Sequence, residues 1–122
     1  MNKNIFFYIS SIGILLFLFI FLVTCSWIGY GVREQCSIAQ TKYQGDCVEA
    51  LMQSFEKEQN NSVVWALGQL GDNRALPLLQ SYYTGEIKKT KEKWDEGLSQ
   101  YELKKAIKLL DGGFNASAII WR

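Results

Sequence analysis

The sequence predicts an all-α protein: one N-terminal transmembrane helix followed by a small α-solenoid of about three degenerate helix hairpins. Three observations lead there. A run from Asn4 to Val32 contains no Asp, Glu, Lys or Arg. Beyond it, apolar residues recur at i, i+3, i+4 and i+7, and no comparable stretch alternates with period two. The downstream part also resembles itself when shifted by 27 positions, the mark of a repeat architecture. The 122 residues therefore divide into an anchor, 1–32, and a helical domain, 33–122.

The anchor comes first. Between Ile5 and Val23 only Ser10, Ser11 and Gly13 interrupt Ile, Phe, Leu, Val and Tyr. As a helix this stretch rises about 28 Å, and continuation to Ile28 gives about 36 Å, against a hydrocarbon core of about 30 Å. Contact with the lipid bilayer is accordingly assigned to residues 5–28. Trp27 and Tyr30 fall at the far end, where amphipathic rings favour the headgroup layer. Lys3 and the amino terminus flank one side, against Arg33 and Lys42 on the other. That bias favours a cytoplasmic N-terminus and an extracytoplasmic C-terminal domain on a single-pass membrane protein. A cleaved signal peptide is disfavoured, because the apolar run is longer than the usual h-region and no Ala-x-Ala site follows. Leu22-Val23-Thr24-Cys25 also resembles a bacterial lipoprotein signal, with Thr24 where Gly, Ala or Ser is usual. Lipidation of Cys25 and an inert thiol at the membrane edge both stay open.

Composition then narrows the function. Of 13 Lys and Arg only Lys3 precedes the apolar run and all 12 Asp and Glu follow it, so the domain is neutral and lacks the basic footprint that nucleic acid requires. Histidine is absent, which removes Ser-His-Asp and Cys-His nucleophile pairs and His-containing zinc sites. No phosphate-loop or dinucleotide fingerprint occurs. The remaining 90 residues form one small domain, burying about 60 to 65% of its unfolded surface. The expectation is a non-catalytic module without cofactor or metal, and no nucleic-acid partner.

The helices follow in order. Asp46-Cys47-Val48-Glu49 has the form of a capping box and opens a stripe of Val48, Leu51, Met52 and Phe55. Asn61-Ser62 suits an N-cap before Val63, Ala66, Leu67 and Leu70, and Leu76, Leu79 and Tyr83 make the next stripe. Ser99-Gln100-Tyr101-Glu102 is a second capping box, before Leu103, Ala106, Ile107 and Leu110, and Gly112 can end that helix. For Ala116 to Trp121 a short strand and a final helix are both open. The shift of 27 places Leu51-Met52-Gln53-Ser54-Phe55 on Leu78-Leu79-Gln80-Ser81-Tyr82. Three helix pairs emerge, about 33–58, 60–85 and 99–122, because one hairpin cannot bury its apolar stripe alone.

The central pair carries a resemblance. Val64-Trp65-Ala66-Leu67-Gly68-Gln69-Leu70-Gly71-Asp72-Asn73-Arg74-Ala75-Leu76-Pro77-Leu78-Leu79 resembles the HEAT-like repeat of the phycobilin-lyase type, and the flanking pairs resemble degraded copies of it. Its motif residues here are Ala66, Leu67, Gly68, Leu70, Gly71, Asp72, Arg74 and Pro77. Their physical roles are structural: Gly68 allows close helix approach, Gly71 can end a helix left-handed, Asp72 can cap the next helix and Pro77 suits its first turn. By resemblance, Arg74 would bridge Asp72 or a neighbouring repeat. The family supplies binding surfaces, and its lyase members attach bilin chromophores; only the architecture is carried over to this shorter, His-free chain.

Cys36 and Cys47 are the disulfide candidate. Closing that loop is worth about 3 kcal/mol by the chain-entropy model. A straight helix over 33–43 leading into an antiparallel partner would hold them too far apart, so a bridge is expected to need a helix end near Ile38 to Gln40; two buried reduced thiols are the alternative. The insertion loop 86–98 has eight charged residues in 13. Trp94, with Lys91 and Lys93, is the partner-binding candidate, since a large ring in a polar loop is a typical interface anchor. The competing readings are a ring folded back onto its own repeats with solvated lysines, or lysines touching anionic headgroups.

The functional expectation is a membrane-anchored HEAT-like module that binds another protein or acts as a scaffold. The alternative is a small accessory subunit assembled through its transmembrane helix. A chromophore carrier or enzyme, by analogy with the lyases, is third.

Overall fold

A computed structural model of the chain describes residues 2–90, 93 and 97–122. Among the described residues it is all-helical: α1 (Lys3–Lys42), α2 (Cys47–Glu58), α3 (Asn61–Leu70), a 3-10 turn (Asn73–Ala75), α4 (Leu76–Tyr82), α5 (Gln100–Leu110) and α6 (Ala118–Trp121). The segment left open at Ala116 to Trp121 is thus a short helix at its end.

α1 is one helix of 40 residues, about 60 Å long, with Asn2 accepting the Asn4 amide at its start. No proline interrupts it, so nothing in the backbone marks the expected boundary at residue 32. Its environment changes earlier. The most apolar 18-residue window has no buried residue, whereas Cys25, Gly29, Val32 and Ala39 are buried by the domain.

The first helix pair is not an antiparallel hairpin. Cys47 lies beside Cys36 with Cα atoms 5.1 Å apart, while Lys42 Nζ reaches Glu58 Oε1 at 3.1 Å. The second contact is at the far ends of both helices, so α2 climbs in the same direction as the end of α1. The four residues between them make this possible. Tyr43 is extended, Gly45 takes φ +111°, and the Gln44 and Gly45 carbonyls accept the Gln53 and Gln40 side chains. This strap returns about 9 Å alongside six residues of α1, well within the reach of an extended chain. The expectation that a bridge needs α1 to stop near Ile38 to Gln40 is therefore corrected: the helix runs to Lys42 and the strap does the returning.

From Gln59, left-handed at φ 48°, the chain reverses into α3, which descends toward the apolar part of α1. α3 is the central element, packed by α1, α2 and α5, which is why adjacent Val63 and Val64 are both buried. α4 then rises, setting Tyr82 edge-on to Phe55 with ring centroids 4.9 Å apart, and α5 descends again. The shared core is Leu51, Phe55, Val64, Leu67, Leu79 and Leu103, all essentially inaccessible. Each such side chain contributes about 1.5 to 3 kcal/mol of burial free energy. At Gly68 and Ala106, α3 and α5 approach closely: a Cβ on Gly68 would stand 2.8 Å from the Ala106 Cα. α6 ends the chain against α1, the Trp121 ring lying over Gly29.

The domain thus has two ends. One, around Gly29, gathers the C-termini of α3 and α5 together with α6. The other gathers Tyr82, Thr84, Gly97 and the start of α5, since Gln100 bonds Thr84 and Tyr82, and Asn61 bonds Gly97 and Ser99.

Candidate functional site

Arg74 is the most connected side chain of the central repeat. Its guanidinium donates to Asp72 at 2.9 to 3.1 Å, to Asp46 Oδ2 at 2.9 Å, and stands 3.6 Å from Glu49 Oε1. It therefore bonds Asp72 within its own helix pair and also reaches across to the start of α2. Local chemistry arranges the acceptors. Asp46 and Glu49 form a full capping box at α2, with exchanged bonds of 2.9 and 3.0 Å. Asp72 caps the 3-10 turn by accepting the Arg74 amide at 3.0 Å. The Glu49 amide and then Arg74 hold Asp46 below the usual carboxylate range, and the Arg74 side chain does the same for Asp72. The guanidinium is pushed further toward its charged form by both acids, Asp72 first. The group is solvent-exposed and internally matched in hydrogen bonds, a fastening between α2 and the central repeat.

The other motif residues have equally local positions. Ala66 and Leu67 are buried core, and Leu70 packs partly against it. Gly71 is left-handed at φ 67° and ends α3, and Pro77 occupies the first turn of α4. Gly71 has a second neighbour that the repeat pattern does not foretell. The Arg122 guanidinium donates to the Gln69 carbonyl, its Nε at 3.0 Å and its Nη2 as well, and a Cβ at Gly71 would collide with it. The final residue thereby satisfies a carbonyl left open at the end of α3.

The cap of α3 is displaced from the expected pair. Asn60, not Asn61 or Ser62, is the N-cap, accepting the Ser62 amide at 2.7 Å. Asn61 is buried instead, and its amide donates to the Gly97 carbonyl at 2.7 Å and accepts from the Ser99 amide at 2.8 Å. A buried Asn bonded over 36 to 38 residues fixes the far end of the insertion to α3. Sequence offered one signal, two consecutive Asn before an apolar stripe, but could not say which one faced inward.

Cys36 and Cys47 stand at disulfide distance, beside an open groove of about 550 Å³ lined by Arg33, Cys36, Ser37, Gln40, Thr41 and Cys47. Cys25 is free and 2% exposed, so acylation of its thiol would require it to leave its packing. Of the partner-binding candidates, Trp94 and Lys91 lie outside the described residues. Lys93 is exposed, and the described flanks of the insertion, Thr84 and Gly97, sit at the end of the domain opposite Gly29. Among the described residues no group of three His, Cys, Asp or Glu side chains is arranged to hold a metal ion.

No curated protein and no solved structure matches the chain. Against family models, residues 61–84, which are α3, the 3-10 turn and α4, match the PBS lyase HEAT-like repeat, so the central helix pair with its Arg74 fastening is similar to that repeat.

Proposed function

We propose that this chain is a single-pass membrane protein whose HEAT-like domain, held outside the cytoplasm, binds or scaffolds another protein without catalysing a reaction. One observation carries the reading: α1 has two environments, apolar and unburied over residues 5–23, then, from Cys25 onward, packed against the helical domain along one stripe of Cys25, Gly29, Val32 and Ala39. A continuous helix that enters the domain as core transmits the position of the bilayer rigidly to it. The match to a HEAT-like repeat supports a binding surface, and the insertion 86–98 is rooted at the end farthest from the membrane, where a partner has access.

Cross-linking in native membranes, followed by purification through the C-terminus, should recover a partner, and Trp94→Ala should reduce its yield. The accessory-subunit reading differs at α1. Exchanging residues 5–23 for an unrelated apolar helix leaves the packed part from Cys25 intact. Retained capture supports the domain as the binding element, and lost capture transfers that role to the transmembrane helix. An alkaline phosphatase fusion after Arg122 should be active; an inactive fusion with an active cytoplasmic reporter would reverse the orientation. The intact mass of the extracted chain distinguishes the uncleaved anchor from a chain cut before Cys25 and acylated there.

A further inference from the structure

At the end of the domain through which α1 enters, Phe114, Ile119 and Ile120 are 82%, 73% and 42% exposed, and on α1 itself Trp27 and Tyr30 are 78% and 65% exposed. These are large apolar side chains at one level of the molecule. The level is set by two contacts: Trp121 against Gly29, and Arg122 on the Gln69 carbonyl at the foot of α3. Asn115 adds a third tie, donating to Gln69 Oε1 at 2.7 Å, while Ser117 links Asn115 to the Trp121 indole. The segment 115–122 is therefore fixed, and the exposure of its isoleucines is not that of a loose tail.

The bilayer is the occupant that this geometry fits. A hydrocarbon core of about 30 Å takes about 20 helical residues, so a span beginning at Ile5 leaves it near Thr24. Gly29 then stands about 7 Å beyond, inside a headgroup layer of about 5 to 8 Å. Whatever packs on Gly29 at right angles to α1 meets that layer. We propose that α6 and Phe114, with Trp27 and Tyr30, form an interfacial lipid-contact surface that seats the domain directly on the membrane. This rests on the membrane-anchor reading above and adds a second point of lipid contact to it. The Arg122 guanidinium is committed to Gln69, so the proposed contact rests on the apolar side chains and not on that cation. A second point of attachment also fixes the domain's tilt, and with it the height at which the insertion is presented.

The test uses the full chain reconstituted in phosphatidylcholine vesicles with a phosphatidylcholine that carries a photoactivatable diazirine near the ester end of its acyl chain. Trypsin conveniently separates the regions: residues 109–122 contain Phe114 and both isoleucines, and residues 94–104 contain Tyr101, exposed at the opposite end. Lipid adducts are expected on the span and on 109–122, with adducts on 94–104 at least about fivefold fewer. The double variant Phe114→Ser, Ile119→Ser, altering only exposed side chains, should cut the adducts on 109–122 several-fold and leave those on the span unchanged. Adducts on the span with none on 109–122 would overturn the interfacial surface and leave the anchor standing. Photocross-linking of 109–122 to a second copy instead of lipid would overturn it in favour of a protein interface. Absence of adducts from the span would remove the anchor and this surface together.

Discussion

Gly68 faces Ala106 across a close approach of α3 and α5: a side-chain carbon on Gly68 would lie 2.8 Å from the Ala106 Cα and 2.9 Å from its Cβ. Real Cβ atoms do not tolerate such distances, so Gly68→Ala must push the helices apart. An overpacked contact of this kind costs about 1 to 3 kcal/mol, read as a lower thermal midpoint with the helical circular dichroism retained below it. Ala106→Gly in the same chain should recover only part of the loss, because the Ala106 backbone is itself one of the colliding atoms.

Leu67 and Leu79 lie in the shared core with essentially no exposure. Truncating either to Ala should lower stability by about 2 to 5 kcal/mol, measured by denaturant unfolding. Trp94→Ala is expected to leave the unfolding midpoint unchanged while weakening partner capture by about 2 kcal/mol, the scale of an exposed interface anchor. A large loss of stability in that variant would mean the ring is packed into its own domain.

The cysteines should separate into two classes. Cys36 and Cys47, with Cα atoms 5.1 Å apart, are expected to resist alkylation in denatured, unreduced protein and to react once reductant is added. Reduction should then cost about 3 kcal/mol by the chain-entropy model. Cys25, buried and unbridged, should react only after unfolding, with or without reductant. Labelling of all three thiols in the unreduced, denatured chain would exclude the bridge.

Acid should loosen the Arg74 fastening. Asp46 and Asp72 are held below the usual carboxylate range in the folded chain, so unfolding raises their proton affinity. Their contribution is fully present above the unfolded carboxylate value near pH 4 and is lost as the pH falls through the lower folded values. The thermal midpoint should therefore drop below about pH 4, and more shallowly in Asp46→Asn, Asp72→Asn, where the side-chain caps persist but the charges do not. An identical acid slope in that variant would show that other carboxylates govern it.

Much of the fold was legible because its rules are local. The apolar run, the capping box at Asp46, the left-handed Gly71, the Asp72 cap and Pro77 in a first turn all depend on residues within about four positions of one another; at Ser99 the expected box is a simple N-cap, its hydroxyl accepting the Glu102 amide while its own amide goes to the distant Asn61. The helical stripes were legible for the same reason, since residues at i, i+3 and i+4 share a face whatever they pack against. The close approach at Gly68 could be anticipated as well, because no other residue leaves that much room.

Direction and pairing were not local. That α2 climbs beside α1 was decided by a four-residue strap whose course depends on Gln40 and Gln53, side chains from two different helices. Asn61 rather than Asn60 turned inward because Gly97 and Ser99 arrive there from 36 and 38 residues away. Trp121 found Gly29 across most of the chain, and Arg122 found a carbonyl that α3 leaves open at its foot. The sequence by itself determined the main helical stripes, the caps at Asp46, Asp72 and Ser99, and which part of the chain is apolar enough for a bilayer. Only the tertiary structure decided which ends meet, because burial rewards any apolar stripe alike, while the choice among partners rests on shape and on hydrogen bonds that exist only once distant segments are in place.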